Sequence, residues 1–221
     1  MPYKATGIYK APGLYPSLYK GAGIYKNGDA GNVVNIGGRD YPYIEIDGKK
    51  WISENLDFAP NGISVGISSY TTTPNAGYYD NNQTTYSETG RKCGLLYNWY
   101  AVKYLNDNRN NFFPGWRVPT ANDYANLAAS VGYSVAGKKL KASNLSWAPS
   151  WGGIDEYLFS MLPGGGYFGG FFDEQTNAYL WTIDEKNSTQ ADGYRFSTGD
   201  TITLYANRNK NQCYSIRLIS D

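Results

Sequence analysis

Apolar and polar positions alternate through Tyr41-Pro42-Tyr43-Ile44-Glu45-Ile46, and Lys50-Trp51-Ile52 resumes an extended run after Asp47-Gly48. That dipeptide between two alternating runs is a hairpin signal. The period then changes. Leu95, Trp99, Val102 and Leu105 fall at helical spacing and predict a helix over Leu95 to Leu105. A second helix is better marked: Thr120 is placed to cap it and Asp123 to complete a capping box. Tyr124, Leu127, Ala128 and Val131 follow at i, i+3, i+4 and i+7 before Gly132. Short strands between Gly-rich turns are expected at Leu158 to Leu162, Ala178 to Ile183, Tyr194 to Ser197, Thr201 to Ala206 and Tyr214 to Ile219. Residues 58 to 92, rich in Asn, Thr, Ser and Gly, read as a long loop region. Two helices followed by a run of short, mostly antiparallel strands predict an α+β domain.

The first residues are unlike the rest. Lys4-Ala5-Thr6-Gly7-Ile8-Tyr9 is followed by Lys10-Ala11-Pro12-Gly13-Leu14-Tyr15, and Lys20-Gly21-Ala22-Gly23-Ile24-Tyr25 returns after an insertion that holds Leu18-Tyr19. Glycine and proline at this density argue against helix, and a polar linker would not carry an apolar pair so regularly. Ile8, Tyr9, Leu14, Tyr15, Leu18, Tyr19, Ile24 and Tyr25 are therefore expected to order against a neighbouring protomer or a larger assembly, with 27 to 40 as linker. The division expected is residues 1–39, an extended repeat and linker, and 40–221, a folded domain.

Charge removes several functions. Lys and Arg number 20 against 19 Asp and Glu, a net charge of +1 that leaves no footprint for nucleic acid or an anionic membrane. The 221 residues contain no His, which excludes imidazole-based nucleophile pairs, metal sites and pH switches. No dense Asp-x-Asp-x-Asp loop occurs, so no metal and no cofactor are expected. Cys93 and Cys213 read as buried free thiols if the chain matures in a reducing compartment, with a bridge left open. No leader-like run opens the chain and no apolar stretch approaches 18 residues, so synthesis in the cytoplasm without membrane insertion is expected. The 22 Tyr residues and abundant Asn are the mixture that recognition surfaces favour.

Several segments occur in a distinctive order: Trp51-Ile52-Ser53-Glu54-Asn55-Leu56, Gly94-Leu95-Leu96-Tyr97-Asn98-Trp99-Tyr100-Ala101, Pro114-Gly115-Trp116-Arg117-Val118-Pro119-Thr120 and Ala136-Gly137-Lys138-Lys139-Leu140-Lys141. Phe159-Ser160-Met161-Leu162-Pro163-Gly164-Gly165, Leu180-Trp181-Thr182 and Tyr214-Ser215-Ile216-Arg217-Leu218 complete the series. From about residue 40 to 221 the chain resembles the Fibrobacter succinogenes major paralogous domain family. The resemblance implies a C-type-lectin-like fold. It also implies kinship with variable proteins of diversity-generating retroelements, among them phage tail receptor-binding proteins and bacterial surface lectins. Many members carry a Cys before Pro-Gly-Trp and another after the terminal Arg; Phe113 and Leu218 stand in those places here, and Cys213 stands where Gly is expected.

The resemblance points to Asp184 through Gln212 as a variable region. Strand alternation over Thr201 to Asn207 sends Ile202, Leu204 and Ala206 inward and Thr201, Thr203, Tyr205 and Asn207 outward. Asn209 and Asn211 are read as extending that series, the preceding strand as adding Arg195 and Ser197, and the adjoining loop as adding Asp184, Lys186 and Asn187. Tyr205 is the expected anchor. The function this implies is receptor binding, as a phage tail-tip or tail-fibre adhesin that contacts a bacterial surface protein or glycan. A homo-oligomer, a trimer above all, is expected, with other tail proteins as further partners and the virion as its place. A bacterial surface lectin, or a structural virion subunit without a ligand of its own, are the alternatives. An enzyme is not expected: only Cys213 lies near the terminal Arg, as a formylglycine-generating oxidase would need, and the adjacent acids Asp155-Glu156 and Asp173-Glu174 diverge on most backbones.

Overall fold

The computed structural model of the chain describes residues 32–67, 71–81 and 93–221. The repeat residues Ile8, Tyr9, Leu14, Tyr15, Leu18, Tyr19, Ile24 and Tyr25 lie outside them. Two sheets carry the described residues. The smaller has the order β1-β2-β3-β14-β7, from β1 (Val33–Ile36), β2 (Arg39–Ile46), β3 (Lys49–Ile52), β7 (Trp116–Arg117) and β14 (Ile219–Ser220). Asp47 and Gly48 both take positive φ, 51° and 71°, as the two-residue β2–β3 turn requires. The larger runs β12-β11-β10-β8-β13-β6-β5-β4, with β9 paired to β8 off that path. Its members are β4 (Ser64–Val65), β5 (Asn75–Gly77), β6 (Leu96–Asn98), β8 (Gly164–Tyr167), β9 (Phe171–Glu174), β10 (Ala178–Glu185), β11 (Gln190–Phe196), β12 (Ile202–Asn209) and β13 (Cys213–Tyr214).

Helices are short: α1 (Trp99–Asp107), α2 (Arg109–Phe112), α3 (Ala121–Val131) and α4 (Ala136–Leu140). The expected capping box of α3 is present. Thr120 Oγ1 accepts from the Asp123 backbone N–H, Asp123 accepts from the Thr120 N–H, and Tyr124, Leu127, Ala128 and Val131 are the buried face. The first helix starts later than its spacing predicts. Leu96–Asn98 is strand β6, and the Asn98 side chain caps α1 by accepting from Ala101 N–H at 2.9 Å.

Among the described residues strand exceeds helix, 38% against 22%, so the expected α+β, C-type-lectin-like arrangement with two helices does not describe this molecule. The difference lies in short pairings that composition hides. Residues 33–40, expected to be linker, form β1 and the start of β2 around a Gly37-Gly38 turn, in register from Val33 opposite Pro42 to Ile36 opposite Arg39. The expected loop 58 to 92 contains β4 and β5, paired in parallel. Conversely, Leu158 to Leu162 is no strand: Leu158 and Ser160 have φ of 58° and 53°, and only Met161 bridges, to Lys141. The run from Tyr214 to Ile219 divides between β13 and β14, one in each sheet.

Strand β10 separates two cores. Ala178 and Leu180 face one with Trp51, Tyr124, Leu127, Trp151, Phe159, Tyr194 and Phe196. Tyr179 and Trp181 face the other with Trp99, Tyr97, Phe113, Trp116, Tyr214 and Leu218. Trp181 Nε1 donates to Tyr97 O at 2.8 Å and Trp99 Nε1 to Thr182 O at 3.0 Å, so each indole buries its ring with its one donor satisfied. Phe113 and Leu218, at the positions where cysteines were expected, are both fully buried in the second core. Cys93 and Cys213 are both buried and are not bridged to each other, and burial pushes the Cys213 thiol up to about 12.

Arg217 ties the smaller sheet to the segments that connect it with the rest of the molecule. Fully buried, it donates from Nε to Asn55 Oδ1 at 2.7 Å, from Nη1 to Ile52 O and Phe159 O at 2.8 and 2.9 Å, and from Nη2 to Ser160 O at 3.1 Å. Five N–H donors in a fixed fork suit such a junction of carbonyls.

Candidate functional site

Strands β10, β11 and β12 form the free end of the larger sheet, and their register decides which side chains meet. Tyr179 lies opposite Arg195 and Arg195 opposite Thr203, while Trp181 lies opposite Gly193 and Gly193 opposite Tyr205. All six therefore share one face, the face of the second core. Only glycine fits at position 193, since a Cβ there would stand 2.6 Å from Leu180 O. The Tyr205 ring stands on the same face, across from Gly193 in register. It packs 5.1 Å from Tyr179 and 6.1 Å from Tyr214, centroid to centroid, and Phe172 extends the series 5.4 Å from Tyr179.

Two guanidinium groups flank the same ring. Arg208 lies 4.2 Å and Arg195 5.8 Å from the Tyr205 centroid. Arg208 is tethered through Nε to Ala206 O at 2.8 Å. Arg195 Nε is buried with no hydrogen-bond partner among the described residues. Asp173 sits on the flank, where it accepts from the Tyr179 hydroxyl at 2.5 Å; burial, with that bond, raises the Tyr179 phenol above its ordinary value.

Both ends of the β11–β12 hairpin are pinned. At the turn, fully buried Lys141 donates from Nζ to the carbonyls of Ser197, Thr198 and Gly199 at 2.9, 3.1 and 2.8 Å, and Lys138 N–H donates to Asp200 O at 3.1 Å. At the far end β12 bulges: Ala191 lies opposite Arg208 and Gly193 opposite Tyr205, so two residues of β12 face one of β11. Asn207 adopts φ of 57° at the bulge, and the buried Asp192 carboxylate accepts from its N–H at 3.0 Å while pairing with Lys186 at 3.0 Å.

The expected ligand-binding residues separate into two groups. Arg195 and Tyr205 are half-buried and Thr203 exposed on the face just described; Thr201, Asn207 and Asn209 are exposed along the same strand and its approach. The others are engaged elsewhere. Asp184 accepts from the Ala121 N–H at 2.5 Å and so caps α3. Lys186 is held by Asp192. Asn187 closes the β10–β11 turn by accepting from the N–H groups of Thr189 and Gln190, both at 2.9 Å. Ser197 Oγ accepts from Gly199 N–H at 3.3 Å. Alternation does not continue to Asn211: β12 ends at Asn209, Lys210 is buried against Glu185 and the Trp99 ring, and Asn211 is half-buried in the turn.

Alternation also misjudged which face is covered. Leu204, expected inward, is 49% exposed. Its face belongs to the first core, and β12 lies at the end of the sheet, where Ile202 still packs on that core and Leu204 extends past it. Tyr205, expected to stand free, instead packs on the second core. Sequence reasoning missed Arg208, Tyr179 and Phe172. Arg208 was hidden by the bulge, and Tyr179 by being read only as part of an inward strand.

Of the acidic pairs named for catalysis, Asp155 and Glu156 diverge. Asp155 accepts from Ser160 N–H and Oγ–H at 2.8 and 2.7 Å, while Glu156 turns to Lys139 at 3.1 Å. A cleft of about 450 Å³ between Ala142 and Gly153 is lined by Asn144, Leu145, Pro149 and Trp151 among others and carries no titratable side chain. No helix among the described residues is long and apolar enough to cross a membrane.

No curated protein and no solved structure matches the chain. Residues 44–220 match the family described as the Fibrobacter succinogenes major domain. That span takes in the larger sheet, the smaller sheet apart from β1 and the start of β2, the Arg217 junction and the face around Tyr205, and the chain belongs to the Fibrobacter succinogenes major domain family.

Proposed function

We propose that this protein is a receptor-binding adhesin that uses the β11–β12 end of its larger sheet to hold a bacterial surface molecule, in the setting of a phage tail tip or tail fibre. One observation carries the reading. Arg195, Thr203 and Tyr205 share a face of a hairpin whose turn and bulge are both pinned from within, and the Thr203 and Tyr205 hydroxyls have no hydrogen-bond partner among the described residues. Polar and aromatic tips on a constrained backbone bind with little ordering cost. The repeat at residues 4–25 joins protomers, as a trimer, or attaches the module to the particle, so that several weak contacts act together.

The test uses the labelled full chain and washed envelopes from a panel of Gram-negative and Gram-positive bacteria. At least one envelope should retain the protein. Thr203→Ala and Tyr205→Ala should each weaken retention at least tenfold, and the melting temperature should fall by only a few degrees for Tyr205→Ala and hardly at all for Thr203→Ala. Retention by no envelope, or equal retention of both variants, overturns the reading.

A further inference from the structure

We infer that the ligand of this face is an acidic polysaccharide, a surface polymer whose sugar rings bear carboxylate groups. The inference rests on the proposed binding role of the face and gives its ligand a chemical class. Charge is the first observation. Lys186 is neutralised by Asp192 and Lys210 by Glu185, whereas Arg195 and Arg208 have no carboxylate within 4 Å among the described residues. Two uncompensated guanidinium groups therefore lie within 5.8 Å of the same Tyr205 ring. Asp173, on the flank, is engaged by the Tyr179 hydroxyl.

The second observation is a surplus of donors. The buried Arg195 Nε–H has no acceptor among the described residues, and the Tyr205 and Thr203 hydroxyls stand beside it with no protein partner there. That Nε is shielded from a ligand as it is from water, but the Thr203 and Tyr205 hydroxyls and the guanidinium ends of Arg195 and Arg208, without a protein acceptor among the described residues, are left for a ligand rich in oxygen. Guanidinium groups match carboxylates in geometry, with two parallel N–H···O bonds.

The third observation separates saccharide from protein. Protein interfaces close over an apolar centre that excludes water. Here the Arg208 guanidinium covers the Tyr205 ring, and the exposed aliphatic residue of the strand, Leu204, projects from the opposite face. What remains is open, polar and cationic. Each contact on it is weak and screened by salt, so a polymer that repeats its charge gains most from several copies of the face.

Polygalacturonate serves as the probe, with dextran as the neutral polymer and polyglutamate as the acidic peptide, each against the full chain at low salt. Polygalacturonate should bind, dextran should not, and polyglutamate should bind at least tenfold more weakly. Arg195→Gln with Arg208→Gln should weaken polygalacturonate binding at least tenfold without a comparable fall in melting temperature; either single variant should give a smaller loss in the same direction and serves if the pair does not fold. Absence of polygalacturonate binding, unchanged binding by the arginine variants, or equal binding of polyglutamate overturns the inference. If envelopes release Tyr205→Ala but retain the arginine variants, the acidic-polysaccharide assignment fails and the adhesin reading stands. If envelopes retain all of them equally, both fail.

Discussion

Asp123 shows what one side chain does for the scaffold. Burial alone would raise its carboxyl, but hydrogen bonds from Arg117, at 2.6 and 3.0 Å, and from Thr120 outweigh it and hold the group below its ordinary value. A depressed folded value means stability that is present above the unfolded value, near 3.9, and lost as pH falls through the folded one. Asp123→Asn should therefore cost about 1 kcal/mol at pH 6, a cap's worth discounted for partial exposure. The difference from the parent should shrink steadily below about pH 4, and urea unfolding at pH 6 and pH 3 checks both. This cap was legible because it is local: Thr120 and Asp123 stand three residues apart, and nothing distant decides their geometry. Leu204 and Tyr205 were not legible in the same sense. Alternation gives their parity, but which face finds cover depends on where β12 falls in the sheet and on Trp181 and Tyr214, brought there by the fold.

At the scale of elements, the β11–β12 hairpin is held by groups that are remote in sequence. Lys141 lies 56 to 58 residues before the three carbonyls it serves, and Gly137 allows α4 to approach, since a Cβ there would stand 2.7 Å from Thr201 O. Lys141→Met keeps the bulk but leaves those carbonyls without their charged donor. The expected loss is about 2–3 kcal/mol, read as a fall in melting temperature together with faster amide exchange in residues 197–203 than in β10. Equal exchange in both would mean that the ammonium does not pin the turn. Hairpins and caps were legible where the turn chemistry was strong, as at Asp47-Gly48. The β1–β2 hairpin was not, because Asn, Gly and Asp from 27 to 40 read as linker although Val33, Val34 and Ile36 lie among them. The bulge at Asn207 escaped notice because it resets the two-residue period without a glycine or proline to announce it.

The whole molecule depends on one buried cation. Arg217 joins Ile52 of the smaller sheet to Asn55, Phe159 and Ser160 of the connecting segments, and Asn55 in turn donates to Cys93 O and Ser215 Oγ at 2.9 and 3.2 Å. Arg217→Ala should lower stability by roughly 3–5 kcal/mol, a large part of what a domain of this size possesses. Arg217→Lys should not restore it, because a single ammonium does not reproduce a planar fork reaching four acceptors. Denaturant midpoints of the two variants against the parent test this; a loss under 1 kcal/mol would remove Arg217 from its role as the junction. The bulge in β12 has a consequence at the same scale. An outermost strand invites another chain to zip onto it, yet here the ladder is interrupted at Asn207 and its amide hydrogen is already taken by Asp192. The bulge bends this edge away from the flat geometry that an added strand needs, so concentrated samples should show no fibril growth.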